Sequence, residues 1–216
     1  MIRHHLNDAL LMAYSAGQLP EAFNLIVATH VSLCDECRAR LEAFDAVGGA
    51  LLDQADADPL PALGAESLAA TMARIRGQAP QKRAEPPVRR GLFPAPLAEY
   101  VGGDLEAVRW RSVGGGVKQA ILPTARDASA RLLYIPGGVA VPDHGHRGTE
   151  LTLVLQGAFR DEFDRFGPGD IEIATEADEH TPVAEEGLAC ICLAATDAPL
   201  RFKGMVPRLL QPFLRI

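Results

Sequence analysis

Residues 30–37 read His30-x3-Cys34-x2-Cys37, an imidazole and two thiols within one helix end and the turn that follows it. Tetrahedral zinc accepts that compact spacing, and thiolate plus imidazole donors suit zinc among the divalent metals. A fourth donor is needed to close the site. His5 supplies it if the helix beginning beside it packs against the helix ending at His30, with His4 as the weaker choice. Four protein donors leave no open position, so such a site is structural, and a small helical unit has reason to use a metal cross-link because its apolar core is small.

A second group runs Gly138-x5-His144-x-His146-x3-Glu150-x6-Gly157. Two imidazoles one residue apart on a strand point to the same side, and Glu150 arrives from the next strand, so three donors converge inside a barrel. The spacing resembles the first cupin motif at every fixed position. The second cupin motif is present in part: Gly169 and His180 stand at the expected separation, while Thr175, Ala177 and Ala184 occupy places usually held by Pro, Gly and Asn. The resemblance implies a His144, His146, Glu150 and His180 ligand set. It would hold a divalent metal, zinc first, with iron, manganese or nickel as alternatives, and would leave coordination positions open. Cys190 and Cys192 alternate onto one face of a late strand, as candidate redox thiols or auxiliary ligands, or simply as small apolar packing. No catalytic residue is assigned.

The elements that must carry these residues follow from periodicity. Over residues 5–77 apolar positions recur every three and four residues, which predicts four helices. Asn7 caps the first, which stops at Gly17; Pro20 opens the second, with Phe23, Ile26, Val27 and His30 on one stripe. Asp35 opens the third, with Cys37, Leu41, Phe44 and Leu51 on one side, and a short fourth carries Leu68, Met72 and Ile75. Residues 78–97 hold Pro80, Pro86, Pro87, Pro94 and Pro96 with little apolar periodicity, and read as an extended linker. Beyond it, short apolar runs bounded by Gly, Pro and Asp predict strands near 108–113, 117–122, 131–135, 150–155, 171–174 and 188–194. The expected fold class is therefore an α + β two-domain chain. A helical zinc-binding bundle (1–77) and a linker (78–97) precede a cupin β-barrel of the jelly-roll, double-stranded β-helix type (98–216), each half folding independently.

The chain has 216 residues, 48% hydrophobic and 23% charged, which excludes bulk disorder. No uncharged apolar run approaches the roughly 18 residues of a membrane helix and no secretory signal opens the chain, so a cytoplasmic place is expected, without a membrane partner. The net charge of −7 argues against direct nucleic-acid binding. Residues 1–77 and 97–216 are each acidic, around a short basic strip that contains Lys82, Arg83, Arg89 and Arg90.

An upstream His followed by H-x3-C-x2-C in a helical context resembles the zinc-binding anti-sigma domain of bacteria. Joined through a Pro-rich linker to a cupin, the whole chain resembles the ChrR-type anti-sigma factors. Ala28-Thr29-His30, Leu33-Cys34-Asp35-Glu36-Cys37, Val141-Pro142-Asp143-His144-Gly145-His146 and Gln211-Pro212-Phe213 all look close to that family. The resemblance implies a regulator that binds and inhibits a group IV (extracytoplasmic-function) sigma factor. It also implies release of that factor on exposure to singlet oxygen or related oxidative stress, with the cupin metal site needed for the response. The rival reading is a metal-dependent cupin enzyme, an oxygenase or isomerase, with a zinc docking domain. The acidic helical half favours the regulator, because a sigma factor offers basic DNA-contacting surfaces for it to meet.

Overall fold

The computed structural model describes residues 1–54, 64, 66–77, 91–142, 144, 145, 147–199, 201 and 202, with His144, Arg201 and Phe202 described by backbone alone. Five helices are described: α1 (Asp8–Ser15), α2 (Glu21–Val31), α3 (Asp35–Gln54), α4 (Ser67–Gly77) and α5 (Ala95–Val101). The Asn7 side chain accepts from the Leu10 N–H at 2.9 Å and so starts α1; Gly17, at φ +66°, follows its end. Helix α5 begins within the stretch read as linker. Pro94 sets its entry, and Phe93 and Leu97 are buried, which gives this segment an apolar anchor. Pro80, Pro86 and Pro87 lie outside the described residues.

The second half is β-rich. A six-stranded antiparallel sheet runs in the order β1 (Arg111–Gly114), β2 (Val117–Ile121), β3 (Ser129–Ile135), β11 (Cys190–Thr196), β5 (Glu150–Gln156) and β8 (Ile171–Ala174). Two three-stranded sheets complete it. One joins β10 (Val183–Ala184), β6 (Phe159–Arg160) and β7 (Arg165–Phe166); the other joins β12 (Arg201–Phe202), β4 (His144–Gly145) and β9 (Glu179–His180). Each of the six strands expected from the sequence has its counterpart in the large sheet. The first starts later, at Arg111, because the Trp110 N–H turns back to the Val108 carbonyl at 3.1 Å instead of joining the sheet.

Both faces of that sheet are covered. Leu132, Leu151, Leu153, Ile191 and Leu193 pack in one core with Leu11, Phe23, Ile26 and Val27 of the helices, whereas Ile135, Val154, Cys190 and Cys192 pack with Phe159, Phe166 and Ala184 on the other side. Strand alternation alone accounts for this division. Its consequence is that helices and sheet share one apolar core. Helix α2 lies at the centre, against α1, α3 and α5 and against strands β3, β5 and β11. Ala22, Phe23, Leu25, Ile26, Val27, Thr29 and His30 are all buried, so α2 is apolar nearly all round, where one stripe was expected.

Candidate metal centres

His30 sits one residue before the end of α2 and Cys37 in the first turn of α3, so the tight connection through Cys34 folds three donors together. The Cys34 N–H donates to the His30 carbonyl at 2.9 Å, and the Cys37 N–H points at Cys34 Sγ at 3.5 Å. His5 arrives from the segment ahead of α1. Its Nδ1 stands 3.2 Å from Cys34 Sγ and 3.6 Å from Cys37 Sγ, and His30 Nε2 stands 3.3 Å from Cys37 Sγ. All four donor atoms lie within 4.8 Å of one another. Bonds of about 2.0–2.3 Å put donor pairs of a tetrahedral zinc about 3.3–3.8 Å apart, so the group has the dimensions of such a site.

The electrostatics of His30 and Cys37 suit a metal-binding group. Burial, reinforced by nearby His5, lowers the His30 pKa to about 4, which keeps the imidazole neutral as a metal ligand requires. Burial also raises the Cys37 thiol to about 11, with Cys34 adding to the effect. The buried Cys37 thiol therefore holds its proton unless a positive charge comes beside it. Both cysteines are free. Arg40 of α3 braces the approach of the N-terminal segment through the Leu6 carbonyl (2.9 Å) and Asp8.

His4, the weaker choice, is engaged elsewhere. Its Nε2 lies 2.9 Å from Asp164 Oδ2 and its ring packs against Phe166 at 4.4 Å between centroids.

In the barrel, the sequence-derived donors are partly described. Backbone register sets His144 opposite His180 across β4 and β9; the His144 side chain and all of His146 lie outside the described residues. Glu150 opens β5 and accepts from Thr152 Oγ1 at 3.2 Å, which places both on the inner face with Val154.

His180 is buried, and its Nδ1 lies 2.9 Å from Glu172 Oε1 and 3.1 Å from Asp161 Oδ2. Burial pulls the imidazole pKa down, but Glu172, Asp161 and the charge of Glu150 outweigh it and hold the group at about 9. Burial raises Glu172 to about 7. A histidine whose Nδ1 serves two carboxylates has its ring orientation fixed, and Nε2 is then the nitrogen suited to a metal.

Asp161, Glu172 and His180 also bring three donor atoms within 4.8 Å of one another. Neither carboxylate was singled out from the sequence. Glu172 had a signal there, a charged residue between Ile171 and Ile173 in an otherwise apolar strand; Asp161 lies in an acidic turn that looks like ordinary surface.

Cys190 and Cys192 do share the inner face, with Sγ atoms 3.4 Å apart and both side chains buried. Hydrogen bonding to Cys190 and burial together raise the Cys192 thiol, and the charges of Glu172 and Glu150 push the same way. A cleft of about 410 Å³ is lined by residues of both candidate centres, His5 with Arg3 and His180 with Glu172 and Asp178.

Known proteins resemble this chain over part or all of its length. The family model of the ChrR cupin-like domain matches residues 99–198. The anti-sigma-E factor ChrR of Cereibacter sphaeroides is 66% identical over 219 residues, spanning 100% of this chain and 99% of that protein. A chain in the crystal structure of Rhodobacter sphaeroides SigE in complex with the anti-sigma ChrR superposes with a TM-score of 0.78. It is 65% identical and covers 91% of this chain and 100% of its own. Similarity of that degree along the whole length means that the chain belongs to the family of the anti-sigma factor ChrR.

Proposed function

We propose that this chain is an anti-sigma factor that binds and inhibits a group IV sigma factor in the cytoplasm and releases it in response to singlet oxygen or related oxidants. The observation that carries the reading is the full-length identity to a protein named anti-sigma-E factor, together with the likeness to a chain in a complex with SigE. That identity makes the chain a regulatory protein rather than a cupin enzyme. Among the described residues no helix is long and apolar enough to cross a membrane.

The surface suits a protein partner. Leu51 and Leu52 of α3 and Leu68 and Ile75 of α4 are exposed, and α4 buries no residue of its own. Val47 and Leu51 share one face of α3, and Leu68, Met72 and Ile75 share one face of α4, so apolar stripes face outward. They belong to residues 1–77, the half we assign to sigma binding, and its acidic balance complements a basic partner.

Zinc is the ion we propose for His5, His30, Cys34 and Cys37, where it would cross-link the N-terminal segment, α2 and α3. In the barrel we propose His144, His146, Glu150 and His180 as holders of a divalent ion, zinc first, with Asp161 and Glu172 orienting His180. The reach of the Glu150 charge to His180 supports that grouping. Such an ion would supply open coordination positions, and the oxidant response would require its ligands.

Co-purification of the full chain with the group IV sigma factor of its host, followed by sigma-dependent transcription in vitro, tests the reading. A stoichiometric complex and loss of transcription are the expected results; unimpeded transcription at saturating chain refutes it.

A further inference from the structure

Asp170 is a buried carboxylate that faces neither candidate centre directly, yet three backbone N–H groups converge on it. Its Oδ1 accepts from the N–H of Arg3 at 2.6 Å and of His4 at 3.0 Å, and its Oδ2 accepts from the N–H of Gly167 at 2.8 Å. Burial alone would raise its pKa; those hydrogen bonds and nearby His4 hold it below the usual carboxylate range. The Ile171 N–H in turn donates to the His4 carbonyl at 3.3 Å, so residues 3 and 4 run along the start of β8. Ile2 lies on Gly169: a Cβ there, at φ +89°, would stand 2.6 Å from Ile2 Cδ1.

We propose that the Gly169–Asp170 turn of the barrel positions the His/Cys cluster of the helical half, Gly169 seating Ile2 and Asp170 setting His5 through the backbone of Arg3 and His4. Asp170 is thus a positioning residue. A buried charge that spends its acceptors on the two residues ahead of a ligand fixes the direction from which that ligand enters. Glu172, the partner of His180, lies in β8 two residues beyond Asp170, so one short segment holds both the residues ahead of His5 and the partner of His180. The metal affinity of the helical half then depends on the barrel. This inference rests on the reading of His5, His30, Cys34 and Cys37 as a metal site.

Cobalt(II) tests it in the reduced full-length chain. Cobalt bound to thiolate gives a near-ultraviolet charge-transfer band, and loss of the band in Cys34→Ser assigns it to the helical site. Chelator competition on that band then gives the affinity. Asp170→Ala is expected to bind cobalt about 10-fold or more weakly, within the range seen when outer partners of metal ligands are removed. Asp170→Asn, which keeps an oxygen for the Arg3 and His4 amides, should lose less. Thermal unfolding of the metal-free variants separates this loss from general destabilisation. If Asp170→Ala does not fold, Asp170→Asn decides, because it keeps one acceptor oxygen but loses the second and the charge, and it is expected to weaken the band's affinity several-fold. Wild-type affinity in folded Asp170→Ala, or in Asp170→Asn where that variant decides, overturns the positioning role while leaving the metal site intact. No thiolate band in the wild-type chain removes the metal reading, and this proposal with it.

Discussion

The Tyr100 hydroxyl donates to Glu21 Oε1 at 2.5 Å, tying the first turn of α2 to α5 across the junction between the helices and the sheet. The other oxygen of the same carboxylate, Oε2, accepts from the Ala125 N–H at 2.6 Å in the β2–β3 connection. One exposed side chain therefore joins three segments. The Gly169–Asp170 contact with the N-terminal segment lies at a separate place, so the two halves are held at two points over a shared apolar core.

Glu21→Ala should loosen the junction without unfolding the chain, seen as faster hydrogen exchange at the Ala125 amide. Hydrogen bonds from Tyr100 and Ala125 hold the Glu21 pKa below its ordinary value of 4.5. A depressed carboxylate contributes stability that is present above the unfolded pKa and is lost as pH falls through the folded value. The wild-type advantage over Glu21→Ala should thus be constant above about pH 5 and vanish on acidification. A difference that grew in acid would contradict this assignment.

Cys34→Ser and His30→Ala should each strip the helical half of its metal. Elemental analysis of the purified full chain should show about one equivalent fewer than wild type, with a lower thermal midpoint and weaker inhibition of the sigma factor. Unchanged metal content in both variants would leave the cluster as a set of buried thiols and imidazoles.

Leu51→Asp and Leu68→Asp test the outward apolar stripes. Both side chains are well exposed, at 66% and 72%, so stability should stay within about 0.5 kcal/mol of wild type. Affinity for the sigma factor should fall at least about 10-fold, the loss expected when a charge is placed in a desolvated contact. Calorimetric titration of each variant against the sigma factor measures it, and retained affinity would move the interface elsewhere.

Glu150→Ala and His180→Ala should leave sigma binding intact and blunt the oxidant response, because both side chains belong to the inside of the barrel. Cys190→Ala combined with Cys192→Ala should leave the response unchanged, since both thiols are buried and Cys192 is pushed up in pKa, which disfavours the reactive thiolate. A reporter driven by the sigma factor, read before and after singlet-oxygen exposure at equal variant levels, separates the two pairs. Full induction in the first pair, or loss of induction in the second, would reverse these roles.

Covalent spacing by itself determined a good deal of this protein. His30, Cys34 and Cys37 are local in sequence, so one helix end and one turn suffice to bring them together, and the periods of 3.6 and 2 place the main helices and the large sheet's strands. Cys190 and Cys192 share a face for the same reason. The relation between the halves was not legible in that way. The Pro-rich stretch reads as a spacer, yet α5 begins inside it and α2 is buried between helices and sheet; the near-continuous apolar run Ala22–Val27, broken by Asn24, was the available sign. Asp170 lies more than 160 residues from the backbone it holds, and Asp161 and Glu172 meet His180 from different strands and turns. No local rule brings such groups together. Packing of the two apolar faces does so, because only the folded sheet decides which distant polar atoms are buried in the same place and must satisfy one another.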